Sequence, residues 1–159
     1  MHQYIFGHDE AVAQFVAHLI PECRERGFGK CRAIGIADAE GNLLGGLVYR
    51  NWCPEVGTIE VSGAAVPGTN WLSRRTIQVM YDYPFYVVGV QMVIKTTMAD
   101  NYIVLRIVEA VGFDLHYIKR LGGRERDGVV CTLTQEAWEA SRYNSNRKRK
   151  AEPQIEEAA

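Results

Sequence analysis

The feature that most constrains the fold is a continuous apolar run, "VGVQMVIKTT", at residues 88–97. Such a run is typical of a strand that is buried on both faces of a sheet. A helical pattern, "ADNYIVLRIVEAVGF", follows at once, with Asp100 or Asn101 near its N-cap and Gly112 at its C-terminal stop. A buried strand that passes directly into a helix predicts a sheet whose faces are covered by helices.

The rest of the chain alternates between strand-like and helical stretches. Helical periodicity is found at residues 8–27, 70–83 and 135–142, and the second of these stretches stops before Pro84. Strand patterns occupy residues 1–6 and 57–66, and hairpin patterns occupy 31–51 and 113–138. The resulting order, β–α–β–β–β–α–β–α–β–β, predicts an α/β or α+β domain with a mixed sheet.

Composition indicates one domain with a normal core. The chain has 159 residues, of which 47% are hydrophobic, and its net charge of −1 gives no overall field that points to nucleic acid. We expect one domain at residues 1–142 and a polar, disordered tail at 143–159. The tail contains "RKRK" at 147–150, but an acidic end follows this run, so we do not expect nucleic-acid binding.

Neither a metal site nor a membrane contact is predicted. The four cysteines are scattered without a C-x-x-C pair, and the four histidines lack metal-ligand spacing. We therefore expect reduced thiols and no bound metal. No stretch approaches the ~20 apolar residues of a membrane span, and the start "MHQYIFGHDE" lacks the pattern of a secretion signal. These observations predict a cytoplasmic protein.

The stretch "PGTNWLSRRTIQVM" at 67–80 has two arginines where a helix is predicted to begin. The first-turn N–H groups of a helix carry a partial positive charge, so Arg74 and Arg75 are unfavourable there. A bound anion would compensate for them, since arginine forms strong charge-assisted bonds with phosphate oxygens. The same side chains could instead be solvated or paired with Asp82, and the sequence leaves both interpretations open.

The order of elements, together with "ADNYIVLRIVEAVGFD", resembles the GNAT acyltransferase superfamily. Its members carry a strand, an Asn-started helix and a Gly-Phe pair that leads into the next strand. Here these features are residues 90–97, residues 101–111 and the pair Gly112-Phe113, and the likeness covers about residues 2–134. The resemblance implies a mixed, mostly antiparallel central sheet of about six to seven strands, flanked by helices.

The resemblance also implies a donor substrate, acetyl-CoA, and transfer of its acetyl group to the amine of a small molecule or peptide. In the family the pyrophosphate lies on the backbone of a glycine-containing loop that opens a helix. The equivalent loop here is 69–74, and Leu72 and Arg74 occupy its two glycine positions. Side chains would then replace the close backbone approach, and the candidates are Asn70, Ser73, Arg74 and Arg75.

A second interpretation is that this phosphate site has been lost and that the domain is a catalytically inactive GNAT-like binding or structural module. The side chains that replace the glycines favour it. A turn filled by the indole of Trp71 or by Leu72, with both arginines directed away, would favour it further.

Direct acyl transfer needs a group that removes a proton from the amine, and donors for the developing oxyanion. The resemblance places the base on the strand that faces the cofactor cleft, where Glu60 stands among apolar residues whose burial would help it to hold a proton. An exposed carboxylate on the outer strand face is the alternative. Backbone groups near Ala65 and Val66 are the candidate donors, and Asn101 either contacts the pantetheine arm or only caps its helix.

The tyrosine that commonly serves as the acid in the family is replaced by Val108. His116, on the following strand, is then the best remaining acid/base candidate, because an imidazole changes its charge near neutral pH. Loss of the tyrosine need not abolish activity, since water can protonate a thiolate. The exposed last strand or hairpin could also pair two copies of the chain into a homodimer.

Overall fold

The computed structural model describes residues 1–144, and this part of the chain contains seven strands and four α-helices. The strands are β1 (Gln3–Ile5), β2 (Arg32–Ala37), β3 (Leu43–Cys53), β4 (Thr58–Ala65), β5 (Met92–Met98), β6 (Asp114–Ile118) and β7 (Gly128–Thr134). The helices are α1 (Asp9–Leu19), α2 (Arg74–Asp82), α3 (Tyr102–Val111) and α4 (Gln135–Ala140), with a 3-10 turn at Pro21–Cys23 and a π-helical turn at Tyr83–Val88. The predicted disorder of the tail and the "RKRK" run concern residues 145–159, which lie outside the described part.

The seven strands form one sheet in the order β1-β2-β3-β4-β5-β7-β6. Each neighbouring pair is antiparallel except β4 and β5, which run parallel. The mixed, mostly antiparallel sheet predicted from the sequence is therefore confirmed. The continuous apolar run supplies β5, an interior strand between β4 and β7.

The parallel ladder between β4 and β5 is short. It joins three residue pairs, of which the last is Glu60 with Ile94, and both strands continue beyond that pair. β4 stays paired with β3 as far as Ala65, while β5 follows β7 as far as Met98. The two strands therefore separate into a fork, which we define as the gap between residues 61–65 of β4 and 95–98 of β5.

Apolar cores lie on both faces of the sheet. On one face α2, α3 and α4 pack on the central strands, where Val93 and Trp138 are fully buried. On the other face α1 packs through Val12 and Val16 against Val48 of β3. We call these the α3 face and the α1 face. Because side chains alternate along a strand, each residue of β4 and β5 belongs to one of the two faces.

Helix α2 starts later than the sequence pattern predicts. The pattern places the start near Asn70, whereas the helix begins at Arg74. Ser73 is the N-cap, and its hydroxyl accepts a hydrogen bond from the N–H of Thr76 at 3.1 Å. A serine hydroxyl in this position satisfies a first-turn N–H group that would otherwise lack an acceptor, which explains why the helix begins here.

The end of this segment also differs from the prediction. The pattern predicts a stop before Pro84, but the chain continues through the π-helical turn at Tyr83–Val88. Proline is tolerated there because it lies at the start of the turn, where its missing N–H is not needed. Gly89 ends the turn with a φ of 89°, a left-handed conformation that glycine adopts without a Cβ clash.

The close approach of α1 to β3 predicts that Gly46→Ala destabilises the fold. A Cβ at Gly46 would lie 2.7 Å from Val16 and 2.8 Å from Val12, and both are stiff β-branched side chains. We expect a loss of about 1–3 kcal/mol in the free energy of unfolding, measured by urea denaturation. In the Gly46→Ala/Val16→Ala double variant, the loss in the free energy of unfolding should be smaller than the sum of the two single losses, because the alanine at 16 makes room for the new Cβ. A Gly46→Ala variant as stable as the wild type would contradict this account of the packing.

Candidate active site

The fork opens into a cleft of about 830 Å³ that is lined from both faces of the sheet. It is the candidate site because unpaired strand edges, the start of α3 and charged side chains meet there. Its lining includes Arg50, Glu60, Ser62, Gly63, Lys95, Asn101 and Arg126. A second depression of about 660 Å³ lies outside α1, against residues 24–31, and does not reach the fork.

Glu60 lines this cleft from the α1 face, together with Ser62. Its side chain is 38% exposed, and its Oε2 lies 3.6 Å from Nε of Arg50, its cross-strand neighbour on β3. The expected burial among apolar residues is therefore not observed, because the alternation of β4 turns Glu60 away from the core on the α3 face. The carboxylate is instead accessible from the cleft, beside a cation.

Arg50 completes this pair on the α1 face. Its guanidinium lies 5.4 Å from the centre of the Phe28 ring, and its buried Nε has no hydrogen-bond partner among residues 1–144. Stacking on an aromatic ring restrains the guanidinium without using its donors. Arg50 therefore remains able to bind Glu60 more closely, or to bind a ligand in the cleft.

The open edge of β4 presents backbone donors to the fork. Val66 donates its N–H to the carbonyl of Leu44 at 2.8 Å and so points toward β3. Since N–H directions alternate along a strand, the N–H groups of Ala65 and Gly63 point the other way, into the fork. Ala65 thus lies where the sequence predicts a backbone donor, Val66 does not, and Gly63 is a further donor that sequence reasoning missed.

Lys95 lies at the base of the fork, one residue beyond the last β4–β5 pair. It shares the α3 face with Val93 and Thr97, and it is partly buried. Within residues 1–144 its ammonium group has no hydrogen bond or ion pair, and burial lowers the pKa of Lys95, an effect that the neighbouring Cys131 thiol partly opposes. A signal for it is present in the sequence, since Lys95 is the only charged residue in the apolar run at 88–97.

One arginine forms ion pairs with two carboxylates at the rim of the cleft. Arg126, in the β6–β7 loop, lies 3.3 Å from a carboxylate oxygen of Glu22 and 3.0 Å from one of Asp100. Its proximity lowers the pKa of Asp100, chiefly through the hydrogen bond. All three side chains are exposed, so these bonds contribute little to stability, but two carboxylates on one guanidinium leave the rim with a net negative charge.

The start of α2 keeps two backbone donors free. The N–H groups of Arg74 and Arg75 have no acceptor within residues 1–144, because the Ser73 hydroxyl is bonded to Thr76. The Arg74 guanidinium donates to the carbonyl of Arg142 and lies 5.3 Å from the centre of the Tyr143 ring. The segment that follows α4 thus supplies the partners of the Arg74 guanidinium. The sequence did not indicate this contact.

The side chain of Arg75 is exposed and forms no ion pair with Asp82 within the described part of the chain. Asp82 instead accepts a hydrogen bond from Nε1 of Trp138 at 3.1 Å. Burial raises the pKa of Asp82, and the Trp138 bond and the charge of Arg75 oppose this effect. Arg75 is therefore within electrostatic range of Asp82 but free to bind an anion.

Two apolar side chains occupy the loop where a diphosphate was predicted to bind. Leu72 and Trp71 are partly buried and pack on the core of the α3 face. The ring of Trp71 lies over β4, since a Cβ added to Gly63 would be 3.9 Å from its Cη2. Asn70 is exposed and forms no hydrogen bond with residues 1–144. The indole therefore covers part of the edge of β4, and the open loop expected from the resemblance is not observed.

The start of α3 closes the other side of the fork. The Asn101 side chain caps α3, accepting from the N–H of Val104 at 3.4 Å, and donates to the Thr97 hydroxyl at 3.3 Å. Asn101 also lines the cleft, so its capping role does not prevent contact with a ligand. Val108 is 1% exposed and packs in the core, so this helix brings no hydroxyl group from that position to the fork.

His116 is not brought to the cleft. It lies exposed on the edge strand β6, where its Nε2 is 3.2 Å from the hydroxyl of Thr132. The strand order explains this separation, because β5 and β7 both lie between β4 and β6. The structure therefore does not place His116 with Glu60, although both were candidates for proton transfer.

Two general findings hold for residues 1–144. No helix there is long and apolar enough to cross a membrane. No group of three or more His, Cys, Asp or Glu side chains in the same range is arranged to hold a metal ion.

A short parallel ladder, the fork beyond it and a helix that follows each forked strand characterise the fold of this chain, whose mixed, mostly antiparallel sheet flanked by helices agrees with the sequence prediction. Structures of the spermidine N-acetyltransferase SpeG from Vibrio cholerae share this fold. One point mutant of it has a TM-score of 0.71 and 15% identity, over 86% of this chain and 95% of that chain. The enzyme in complex with manganese ions has a TM-score of 0.68 and 16% identity, over 95% and 97% of the two chains.

A dodecameric form of the Vibrio cholerae enzyme, in an intermediate state, is similar to the same degree, with a TM-score of 0.70 and 15% identity over 86% of this chain and 95% of that chain. No protein-family model and no curated protein matches the sequence. At this level of identity the likeness establishes the fold.

The burial of Lys95 predicts a pH dependence of stability. The pKa of Lys95 in the folded chain lies below its ordinary value of 10.5, so between these two values the unfolded chain binds the extra proton. Stability therefore rises with pH through this window, and Lys95→Met should remove the rise and increase stability at neutral pH. Urea denaturation of both proteins at several pH values measures the effect.

The difference between variant and wild type isolates Lys95 from Tyr49 and Tyr81, whose pKa values are raised by burial and act in the opposite direction. Lys119→Met, at an exposed lysine, is the matched control and should leave the profile unchanged. Identical profiles for Lys95→Met and the wild type would mean that Lys95 is fully hydrated.

Proposed function

We propose that this protein is an acyl-CoA-dependent N-acetyltransferase that moves the acetyl group of acetyl-CoA to the amine of a small molecule or peptide. The observation that carries the proposal is the fork. It brings free backbone donors of β4 and the carboxylate of Glu60 into one cleft. These are the groups that direct transfer requires, namely donors for an oxyanion and an acceptor for the proton of the amine.

The donor would bind on the α3 face. The N–H groups of Gly63 and Ala65 suit the thioester carbonyl and the amide groups of the pantetheine arm, and Asn101 borders the same space. The free N–H groups at the start of α2 and the guanidinium of Arg75 suit the diphosphate. Arg74 would join them only by leaving Tyr143, and Asn70 and Ser73 lie next to this position. The observed residues fit the donor except at Trp71, whose indole has to move off β4.

The acceptor would enter from the α1 face. The net negative charge of the Glu22, Asp100 and Arg126 rim favours a cationic amine, and Glu60 lies deeper in the same cleft. The Vibrio cholerae structures that share this fold are of a spermidine N-acetyltransferase, which supports a small amine as acceptor. Glu60 would take a proton from the ammonium group, directly or through a water molecule, so that the amine can attack.

These groups, together with solvent, account for every bond, electron pair and proton in the transfer. The lone pair of the amine nitrogen attacks the thioester carbonyl carbon, and the N–H groups of β4 stabilise the oxyanion. The carbon–sulfur bond then breaks and the CoA thiolate leaves with the electron pair. Nitrogen loses its second proton to solvent, since Glu60 already holds the first. Because Val108 occupies the position of the usual tyrosine, water would protonate the thiolate.

Two further predictions from the sequence accompany this proposal. The edge strand β6 pairs only with β7 among the described strands, so its open edge could pair two copies of the chain. A related structure is described as dodecameric, which supports assembly of more than one copy. A cytoplasmic location stays a prediction.

The alternative is a catalytically inactive GNAT-like binding or structural module. Two observations favour it, the Trp71 indole over Gly63 and the engagement of Arg74 by the segment after α4. An intact fork and an accessible Glu60 favour the enzyme. Binding of the donor separates the two, because an inactive module with a covered β4 edge has no means of holding it.

Acetyl-CoA should raise the thermal midpoint of the chain. Ligand at a hundred times its Kd adds about 2.7 kcal/mol to the free energy of unfolding, which differential scanning fluorimetry detects readily. Arg75→Ala should raise the Kd by about 10- to 150-fold and so weaken the shift, because a charge-assisted bond to phosphate contributes about 1.5–3 kcal/mol. Arg106→Ala, at an exposed arginine on α3, is the control and should behave as the wild type.

No shift with the wild type, and none with Trp71→Ala, would reject donor binding and leave the inactive module. A shift that appears only in Trp71→Ala would identify the indole as a plug that blocks the native chain, and would also support the module. If acetyl-CoA shifts the thermal midpoint of Arg75→Ala as much as that of the wild type, the start of α2 is not part of the phosphate site.

Glu60→Gln should lower turnover by about 10²–10⁴-fold, because the amide cannot accept the proton of the amine. Turnover is followed as release of free CoA thiol from acetyl-CoA in the presence of a panel of small amines that includes spermidine. The donor-induced thermal shift should stay close to that of the wild type, since Glu60 lies on the acceptor side. Glu109→Gln, at an exposed glutamate on α3, is the control, and equal turnover of Glu60→Gln and the control would exclude Glu60 as the base.

A further inference from the structure

Lys95 is a charged residue of the cleft that has no role in the proposed transfer. It follows Ile94, the last residue of β5 that pairs with β4, so it stands at the base of the fork. It belongs to the α3 face, which is the proposed donor side, and its cross-strand neighbour on β7 is the thiol of Cys131. The position of Lys95 is fixed by two strands, because β5 is paired with β7 along its whole length.

The other charged side chains of the cleft have partners. Glu60 is beside Arg50, and Arg126 binds both Glu22 and Asp100. Lys95 has no counter-ion and no hydrogen-bond acceptor within residues 1–144, although it lines the same cleft. An ammonium group that is partly removed from water without a partner is unfavourable, so the neutral amine is favoured relative to an exposed lysine.

An uncharged primary amine is a nucleophile, and the fork is where the proposed donor brings its thioester. Lys95 therefore lies where the donor would bind, and its lowered pKa makes the neutral amine easier to reach than at an exposed lysine. The other lysines of the described part, Lys30 and Lys119, are exposed and lie away from the fork. Both would meet acetyl-CoA only by collision from solution.

We propose that Lys95 is a self-acylation site, at which its Nζ takes the acetyl group from acetyl-CoA bound in the fork. This inference rests on the proposed function, since it needs a donor in the cleft. The lone pair of Nζ attacks the thioester carbonyl carbon, the carbon–sulfur bond breaks, and the CoA thiolate leaves with the electron pair. Nζ loses one proton to solvent, and an amide bond replaces the thioester.

The product has physical consequences for the cleft. An amide is neutral, so acylation removes the unfavourable charge that the fork otherwise contains. An amide is also far more stable to hydrolysis than a thioester, so the acetyl group stays on Lys95 and is not passed on to the acceptor. It would occupy the base of the fork and hinder the next donor, and acylation of Lys95 would limit the activity of the chain that carries it.

The test uses the full chain, acetyl-CoA as donor, and mass spectrometry of tryptic peptides over time, slightly above neutral pH. Acetylation should accumulate at Lys95 at least about tenfold faster than at Lys119, since a donor held in the fork lies beside Nζ and the reaction becomes effectively intramolecular. An excess of free CoA should suppress the reaction at Lys95 and not at Lys119, because CoA competes for the bound donor. In Lys95→Arg the intact protein should gain no rapidly added acetyl group.

Three outcomes would overturn the inference. Equal rates at Lys95 and Lys119 would indicate chemical acylation from solution. A chain that shows the donor-induced thermal shift but leaves Lys95 unmodified would reject self-acylation and leave the proposed function intact. A chain that shows no shift with acetyl-CoA would reject both, and Lys95→Arg, which retains the positive charge, separates a folding defect from loss of the nucleophile.

Discussion

The short parallel ladder between β4 and β5 is the constraint on which the rest of the structure depends. Three pairs hold the two halves of the sheet together, and the ladder then ends while each strand continues with its other neighbour. A longer ladder would satisfy the backbone groups of Gly63 and Ala65 and close the sheet. By ending at Glu60 it leaves polar backbone unsatisfied in a cleft, and a ligand or water has to supply the missing partners.

The sequence predicted the elements well and the site unevenly, for physical reasons. The long periodic segments and the cap at Asn101 are local signals, so the helix at 102–111 and the mixed sheet could be predicted. The position of Trp71 depends on a contact with Gly63 on another element, which no local pattern encodes. The separation of His116 from Glu60 depends on the place of β7 in the sheet, which follows from packing and not from the order along the chain.

The remaining differences between the sequence predictions and the structure concern charged residues. Two arginines at a helix start indicated a missing anion, but Arg74 is stabilised by the Arg142 carbonyl and the Tyr143 ring. The opposite error concerns Lys95, which was overlooked because one charged residue scarcely changes the character of an apolar run. A lysine inside a buried-strand pattern is informative, since burial without a partner is unfavourable unless the position has a use.

The place of β7 between β5 and β6 has a consequence for how the chain is made. β6 contacts only β7 among the described strands, so it cannot join the sheet when it leaves the ribosome and must wait for residues 128–134. Until then one edge of β5 is open, and the apolar face of α3 lacks Leu133 and Trp138 as neighbours. Because these late pairings span distant parts of the sequence, the nascent protein is expected to complete its core only after nearly all of the described chain has been synthesised, with an aggregation-prone strand edge exposed meanwhile.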